Sequence, residues 1–330
     1  MSDKIVLTGI KPTGTPHLGN YVGALKPLIE MAQSNKTFMF IADLHALNII
    51  HDPKLIKQHT YEIAAILIAL GLDLNNAVLF RQSDIAEIYQ LNTMLMNVTP
   101  KGLMNRAHSY KAAVDRNTAA GLDADAGVNM GLYTYPILMA ADILLYNSDT
   151  VPVGADQKQH VEFARDIAGY FNHIYGNILK LPEPVIGRET GLIPGLDGRK
   201  MSKSYDNVIP LFAPEKELKK KIMRIITDSK TPDEPKDPDT STIFQLYKHF
   251  ATESEIAEFR AAFAAPGMGY GTAKTILFEK INSVLTPVRT EYERLMANPA
   301  EIEAILNDGA NRARVVASET LDRVKRAMLG

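Results

Sequence analysis

The sequence predicts a doubly wound α/β fold, in which helices cover both faces of a parallel sheet, followed by a helical C-terminal part. Three observations predict this arrangement. Several short runs of apolar residues have the continuous character of strands that are buried on both faces. These runs alternate with stretches whose apolar residues recur at helical spacing. From Pro214 onward the pattern is almost entirely helical.

Four short runs are predicted to be strands of this sheet. They cover residues 4–8, 37–42, 77–81 and 150–153. A continuous run of this kind lacks the alternation of a half-buried strand, so each is expected to be covered on both sides.

The predicted helices lie between these strands. In the first, Leu18, Val22, Leu25 and Ile29 recur at helical spacing, and Pro27 is expected to kink or end it. Others are predicted over residues 53–71, 135–146 and 156–175. Residues 105–128 are polar and rich in Ala, Asp and Gly, so they are predicted to form mostly a mobile loop. Residues 182–207 are also predicted to be loop-like, and a domain boundary is placed near residue 210.

Composition limits the classes of function. The 330 residues include no cysteine, which excludes disulfides, thiolate metal ligands and cysteine nucleophiles. The net charge of −2 argues against a broadly basic nucleic-acid surface, but it leaves room for a local patch that touches a folded RNA. Residues 63–72, the longest apolar run, are too few for a membrane span. The N-terminus has no leader-like pattern, so a cytoplasmic location is expected.

A first motif follows the first predicted strand and leads into a helix. Residues 9–20 read Gly-Ile-Lys-Pro-Thr-Gly-Thr-Pro-His-Leu-Gly-Asn. Glycines there allow close approach of a ligand, and the N–H groups of a helix start attract phosphate. His17 could donate a hydrogen bond to a phosphate oxygen. By itself the segment is equally well explained as an ordinary strand-to-helix turn. It does not match Gly-x-Gly-x-x-Gly, which weighs against a hydride-transfer enzyme.

A second motif is basic. Residues 199–204 read Arg-Lys-Met-Ser-Lys-Ser, after Gly-Leu-Asp-Gly. Two lysines beside small hydroxyl residues can hold a leaving pyrophosphate, because their ammonium groups offset charge that grows in the transition state. Considered alone, the hexapeptide is also compatible with a solvated basic loop.

Taken together, the motifs resemble those of a known family. Residues 17–20 and 200–204 resemble the paired signatures of class I aminoacyl-tRNA synthetases. Between them, residues 129–146 and 151–160 resemble the tryptophan-specific members, and the resemblance extends to Gly-Tyr-Gly at 269–271. It implies that the chain activates tryptophan with ATP and loads it onto tRNA. It also implies a Rossmann-like catalytic domain over residues 1–210 and a helical domain over residues 211–330 that contacts the anticodon side of tRNA.

The third motif agrees with this resemblance on physical grounds. Tyr135, Met139, Asp142 and Tyr146 are spaced by four, three and four residues, so they share one helix face. Asp142 is thereby placed among apolar and aromatic side chains. An indole ring offers one polar atom, an N–H donor, which a carboxylate can accept. Phenylalanine would leave that carboxylate unpaired, at a cost in specificity of roughly 10⁴ or more. For an isolated aspartate, a solvent-facing or capping role is the alternative.

The resemblance also implies the site residues. The residues assigned to catalysis at the phosphate are His17, Asn20, Lys200 and Lys203. Those assigned to ATP are Lys11, Pro12, Thr13, Gly19, Asn20, Gly154, Ala155, Asp156, Leu192, Lys200, Met201, Ser202, Lys203 and Ser204. Those assigned to tryptophan are Asp142, Met139, Tyr135, Gln157 and His45.

Several of these assignments have qualifications. Lys11 departs from the common bacterial pattern, which has glutamine at this position, and Asp156 could also cap the helix that it begins. His45 could instead be a buried structural histidine. Residues 121–126 resemble an insertion relative to shorter family members.

The resemblance further implies ATP as a substrate with Mg²⁺ carried on its phosphates, no tightly bound cofactor, and no metal held by the protein alone. The implied partners are tRNA(Trp), L-tryptophan and a second copy of the chain in a homodimer, with no membrane. Three alternatives remain: a tyrosyl-tRNA synthetase of the same fold, a small-molecule adenylyltransferase, and a non-catalytic paralogue that binds tryptophan or RNA. The basic residues near the C-terminus are predicted to form a solvated helix face rather than a tRNA contact. They are Arg312, Arg314, Arg323, Lys325 and Arg326.

Overall fold

The structure is a computed structural model that describes residues 2–154, 157–186 and 192–330, with side chains described from residue 4 onward. The strands within these residues are β1 Ser2–Ile10, β2 Asn35–Ile41, β3 Ala77–Arg81, β4 Thr150–Val153 and β5 Glu183–Ile186. They form one parallel sheet in the order β3-β2-β1-β4-β5, which confirms the predicted fold. The order reverses between β1 and β4, and open α/β sheets bind ligands at such a switch point.

The central strands are buried on both faces, which explains their continuous apolar runs. Along β2 and β3 the side chains alternate between two apolar clusters, one on each side of the sheet. Met39 and Leu79 belong to the first cluster, whereas Phe38 and Phe80 belong to the second. Each of these four residues has at most 1% of its surface exposed. A one-residue register shift would exchange the two sets, so the register is strongly specified.

Helices surround the sheet and continue beyond it. In the described part of the chain they are α1 Leu18–Asn20, α2 Lys26–Ser34, α3 Asp43–Ala46, α4 Pro53–Ala69, α5 Ala86–Met96, α6 Lys101–Met104, α7 His108–Ala119, α8 Met130–Leu145, α9 Lys158–Tyr175, α10 Glu215–Met223, α11 Thr242–Tyr247, α12 Glu253–Ala264, α13 Tyr270–Met296 and α14 Pro299–Leu329. The helical character predicted from residue 214 is confirmed, apart from residues 224–241, which contain no helix. No helix within the described ranges is long and apolar enough to span a bilayer.

The chain remains helical past Pro27, where the sequence predicts a kink or an end. The segment Tyr21–Leu25, between α1 and α2, is a π-helix, and the Lys26 N–H donates to the Tyr21 carbonyl. Pro27 lies in the first turn of α2. Because proline lacks an N–H and crowds the preceding turn, the wider π turn accommodates it without ending the helix.

The prediction of a mobile loop over residues 105–128 is wrong for much of that segment. Its middle is helix α7, and the turn that follows is tied back to this helix. The Asn117 side-chain amide donates to the carbonyl oxygens of Ala124 and Ala126 at 3.0 and 2.8 Å. The polar composition therefore reflects an exposed helix with a hydrogen-bonded turn rather than a lack of structure.

The prediction of a loop over residues 182–207 overlooks β5. The side chains of this strand are mostly exposed, so no buried apolar run marks it in the sequence. Helix α8 also begins five residues earlier than predicted, at Met130. Asn129 caps it, with Oδ1 accepting the Leu132 N–H at 2.8 Å. Pro136 lies inside α8 rather than at its start.

The C-terminal helix α14 returns to the sheet and packs along β3, the strand at one edge. Arg81 at the end of β3 donates two hydrogen bonds to the Glu303 carboxylate, at 2.9 and 2.7 Å. Gly309 faces Leu79 so closely that an added Cβ would lie 1.8 Å from the Leu79 carbonyl oxygen. The helix and the edge strand are thus in backbone contact. The domain boundary near residue 210 stays a prediction.

Three basic residues of α14 hold this helix in place. Arg312 and Arg314 are exposed, in agreement with the predicted solvated face, whereas Arg323 is half-buried. Their side chains donate to groups in the first half of the chain while remaining partly exposed. The bonds are Arg312 to the Leu74 carbonyl (2.8 Å), Arg314 to the Asp84 carbonyl (3.1 Å) and Arg323 to the Asn147 side chain (2.7 Å). Sequence pattern identifies a helix and its charges, but it does not identify which carbonyls the helix will meet.

Replacing Gly309 with alanine is expected to destabilise the chain by about 1–3 kcal/mol, because the new methyl group would force α14 away from β3. Urea unfolding would show the loss as a lower midpoint. Gly169→Ala in α9 is the matched control, since nothing lies within 4 Å of its added Cβ. Equal midpoints for the two variants would contradict the backbone contact.

Candidate active site

The first motif begins at the end of β1 and is fixed by a reciprocal cap on α1. His17 Nδ1 accepts the Asn20 N–H at 3.2 Å, and Asn20 Oδ1 accepts the His17 N–H at 3.1 Å. Burial, and then the Lys203 ammonium, lower the pKa of His17. A neutral ring whose Nδ1 accepts carries its proton on Nε2, so His17 can still donate a hydrogen bond. Asn20 supports this arrangement from its Oδ1.

The second motif lies directly against the first. The Gly19 N–H points at the Met201 sulfur, 3.3 Å away. Gly14 has a φ of +98°, and a Cβ added there would lie 3.8 Å from Lys203 Nζ. An ammonium therefore lies beside a glycine turn and a helix N-terminus, an arrangement suited to a polyphosphate.

Asn207 holds the second motif in shape and is 2% exposed. Its Oδ1 accepts the Ser202 N–H at 2.8 Å. Its Nδ2 donates to Asp197 Oδ1 at 2.7 Å and to the Lys200 carbonyl at 3.0 Å. One buried amide thus joins both ends of the lysine loop and leaves the Lys200 side chain exposed.

A second group of residues surrounds Asp142, which is fully buried. His45 Nε2 lies 2.9 Å from Asp142 Oδ2. Gln82 Nε2 donates to both carboxylate oxygens, at 2.9 and 2.8 Å. Burial raises the pKa of the Asp142 carboxyl, and the hydrogen bonds from His45 and Gln82 act in the opposite direction. A carboxylate can accept about four hydrogen bonds, so these donors leave capacity for a further one.

The predicted tryptophan residues are brought together only in part. The ring of Tyr135 lies edge-on to His45, with centroids 6.4 Å apart, and its hydroxyl accepts from Ser109 at 3.2 Å. Met139 is half-buried on the same helix, α8. The Gln157 side chain is exposed, and its backbone N–H donates to the Gly154 carbonyl at 2.9 Å.

The remaining predicted ATP residues lie in several separate segments of the chain. Lys11 and Thr13 lie in the exposed turn after β1, where the Thr13 N–H donates to the Lys11 carbonyl at 2.9 Å, and Pro12 between them is buried. Ser202 Oγ accepts the Ser204 N–H at 3.3 Å. Gly154 follows β4 directly, whereas Leu192 is 74% exposed. Ala155 and Asp156 lie outside the described residues.

Sequence reasoning missed Gln82 and Asn207. Gln82 directly follows β3, and the same rule that favours the carboxyl ends of strands would have included it. Nothing in the sequence marks Asn207 beyond its place a few residues after the lysine loop. Its role depends on contacts that only the folded loop creates.

The family model described as tRNA synthetases class I (W and Y) matches residues 2–286. The chain belongs to the class I tRNA synthetases of this family. Its resemblance to the tryptophan-specific members is confirmed by similarity to a tryptophan–tRNA ligase of Neisseria meningitidis, at 52% identity over 99% of this chain and 98% of the relative.

Two further relatives extend the comparison for this class I synthetase. A tryptophan–tRNA ligase of Pseudomonas aeruginosa is 52% identical, over 98% of this chain and 73% of the longer relative. The crystal structure of the tryptophanyl-tRNA synthetase of Campylobacter jejuni in complex with ADP and tryptophan has a TM-score of 0.89 and 42% identity, and the match covers 98% of each chain.

Proposed function

We propose that this class I synthetase is a tryptophan–tRNA ligase, which activates L-tryptophan with ATP and transfers it to tRNA(Trp). The single observation that carries the choice of amino acid is Asp142, a buried acceptor held by His45 and Gln82. The relatives at 52% identity are tryptophan–tRNA ligases, which supports the same choice.

Asp142 is proposed to accept the indole N–H. Its neighbours Gln82 and His45 fix the orientation of the carboxylate, so the direction of the remaining lone pair is fixed as well. We assign Met139 to the face of the indole ring, and Tyr135 and Gln157 to the ammonium group of the amino acid. Phenylalanine would leave the remaining lone pair of this carboxylate without a donor, which such sites penalise heavily.

In the activation step, a carboxylate oxygen of tryptophan forms a bond to the α-phosphorus of ATP, and pyrophosphate leaves with the electron pair of the broken bond. The side chains we assign to this step are His17 Nε2, Lys200 and Lys203, with Asn20 fixing the His17 cap. They act by positioning and by stabilising charge that grows on the phosphates, so no protein nucleophile is needed. The glycines and serines of the two motifs bring the backbone close to the phosphates.

Mg²⁺ is proposed to arrive with ATP, since it usually keeps waters and substrate phosphate oxygens as ligands, and it would neutralise part of their charge. Among the described residues no group of three His, Asp or Glu side chains could hold a metal ion. The adenosine is assigned to Gly154, Ala155 and Asp156 at the end of β4, with Leu192 beside it. Open α/β sheets bind nucleotides outside the carboxyl ends of the strands at the switch point, and β4 is one of those strands.

The second step and the partners complete the proposal. The terminal ribose hydroxyl of tRNA attacks the carbonyl carbon of tryptophanyl-adenylate, and AMP leaves. We further propose that the helices after residue 210 contact the anticodon side of tRNA. The working form is assigned as a homodimer, and its location as the cytoplasm. These assignments rest on family membership and on the place of the reaction in translation.

Amino-acid-dependent ATP–pyrophosphate exchange tests the proposal, with tryptophan, tyrosine and phenylalanine compared. Exchange with tryptophan alone is expected. Because the chain contains no tryptophan, the added ligand is the only source of indole emission, and a shift of that emission on mixing reports binding separately. Exchange with tyrosine would move the assignment to the sister enzyme. A shifted indole emission without exchange would mean a binding protein that lacks the chemistry.

Replacing Asn207 with alanine is expected to lower kcat/KM for ATP roughly tenfold to a hundredfold. Three hydrogen bonds to the lysine loop are lost, and buried groups left without partners cost about 1–3 kcal/mol. The exchange assay gives the value, with KM for tryptophan as an internal reference. Asn97→Ala, at an exposed position after α5, is the control. Unchanged ATP kinetics in the Asn207 variant would mean that the loop keeps its shape without this amide.

A further inference from the structure

A histidine outside the two motifs lies beside the turn assigned to phosphate. His59 is in the second turn of α4, and its ring lies near Gly14 although the two residues are far apart in sequence. The point at which a Gly14 Cβ would lie is 3.8 Å from His59 Cε1, 4.0 Å from His59 Nε2 and 3.8 Å from Lys203 Nζ. The imidazole and the lysine therefore border the same small space.

Glu62 fixes the direction of this ring. His59 Nδ1 lies 2.9 Å from Glu62 Oε2, and Gln58 Nε2 donates to the other carboxylate oxygen at 2.8 Å. The Glu62 side chain is 10% exposed and that of His59 is 19% exposed. The hydrogen bond to this more deeply buried carboxylate restricts the orientation of the His59 ring, and the ring edge formed by Cε1 and Nε2 faces Gly14.

The hydrogen-bond pattern determines what Nε2 can do. An ionised carboxylate only accepts, so the proton on Nδ1 is used for Glu62. When the ring also carries a proton on Nε2, that N–H can donate to a phosphate oxygen placed beside Gly14.

We propose that His59 is a further phosphate-binding residue, donating from Nε2 to the end of the ATP triphosphate that leaves as pyrophosphate, with Glu62 as its positioning residue. The proposal rests on the activation of tryptophan with ATP. It places a further hydrogen-bond donor near Lys203, on α4 rather than in either motif.

His59→Phe, which keeps a ring of similar size without nitrogen, is the first test. Loss of a hydrogen bond to a charged group corresponds to roughly a tenfold to hundredfold change. We expect KM for ATP in tryptophan-dependent exchange, and the Kd for magnesium pyrophosphate measured by titration calorimetry, to rise by that factor. KM for tryptophan is expected to stay the same. His59→Gln, whose amide nitrogen can replace Nε2, is expected to recover part of the loss.

Glu62→Gln is expected to raise KM for ATP to a smaller extent, again with KM for tryptophan unchanged. His51→Gln, an exposed histidine just before α4, is the matched control and is expected to behave as wild type. Wild-type pyrophosphate affinity in both His59 variants would overturn the proposal. Wild-type behaviour of Glu62→Gln beside an impaired His59→Phe would overturn the role of Glu62. Absence of exchange in the wild-type chain would overturn the ligase function instead, and the pyrophosphate titration would still test His59.

Discussion

Asp142→Ala is expected to remove most of the preference for tryptophan over phenylalanine, which is roughly 10⁴ or more in sites built to bond a polar group. The substitution deletes the only proposed acceptor of the indole N–H. It also leaves the donors of His45 and Gln82 without their shared partner. Kinetics of ATP–pyrophosphate exchange with each amino acid would give the preference, and indole emission would give the affinity.

Thermal unfolding must accompany this experiment, because the deletion leaves a cavity as well as two unpaired donors. Asp142→Asn separates these effects, since the amide keeps the volume and removes the charge. The amide oxygen of this variant can still accept a hydrogen bond, whereas its amide nitrogen cannot, so thermal unfolding of Asp142→Asn reports the loss of one acceptor without the cavity. Asp115→Ala, at an exposed site on α7, is the control for loss of an acid. A folded alanine variant that still prefers tryptophan would refute the assignment of Asp142.

Lys203→Ala is expected to lower kcat of exchange by roughly 10²–10³, the usual loss when one preorganised donor to developing charge is removed. The lysine lies beside Gly14 and acts on His17, so it is placed at the phosphates rather than at the indole. KM for tryptophan should therefore change little. Exchange kinetics with ATP and with tryptophan varied separately would show both outcomes.

Lys216→Ala, on the exposed side of α10, is the matched control for loss of a lysine. A second measurement follows from the electrostatics. Lys203 contributes, after burial, to the low pKa of His17, so its removal should raise the pKa of that ring in an NMR titration. An unchanged His17 pKa together with an unchanged kcat would show that the lysine does not face this site in solution.

The sheet could be predicted from the sequence because burial on both faces leaves a direct trace, a continuous apolar run. The strand β5 left no such trace because it is exposed at the edge, and α7 was hidden by its polar surface. Helices and strands could thus be predicted from the sequence where they bury apolar surface. They could not be predicted where local hydrogen bonds, such as those of Asn117, hold the segment in shape.

The candidate site was predictable to a similar degree. Motif residues that follow strands could be placed together, because the carboxyl ends of parallel strands share one edge of the sheet. Gln82, Asn207 and His59 could not be identified because the role of each depends on contacts that only the folded chain creates. A single glutamine, asparagine or helical histidine has too many ordinary roles to be recognised before its neighbours are known.

The contact between Gly309 and Leu79 has a consequence for how the chain is made. A ribosome releases the strands first, and β3 is complete more than two hundred residues before α14, which spans Pro299–Leu329. During that interval the edge of the nascent sheet has no helix against it, and open edges pair readily with other chains. A chain that ends before α14 would thus leave the β3 edge open to pairing with other chains.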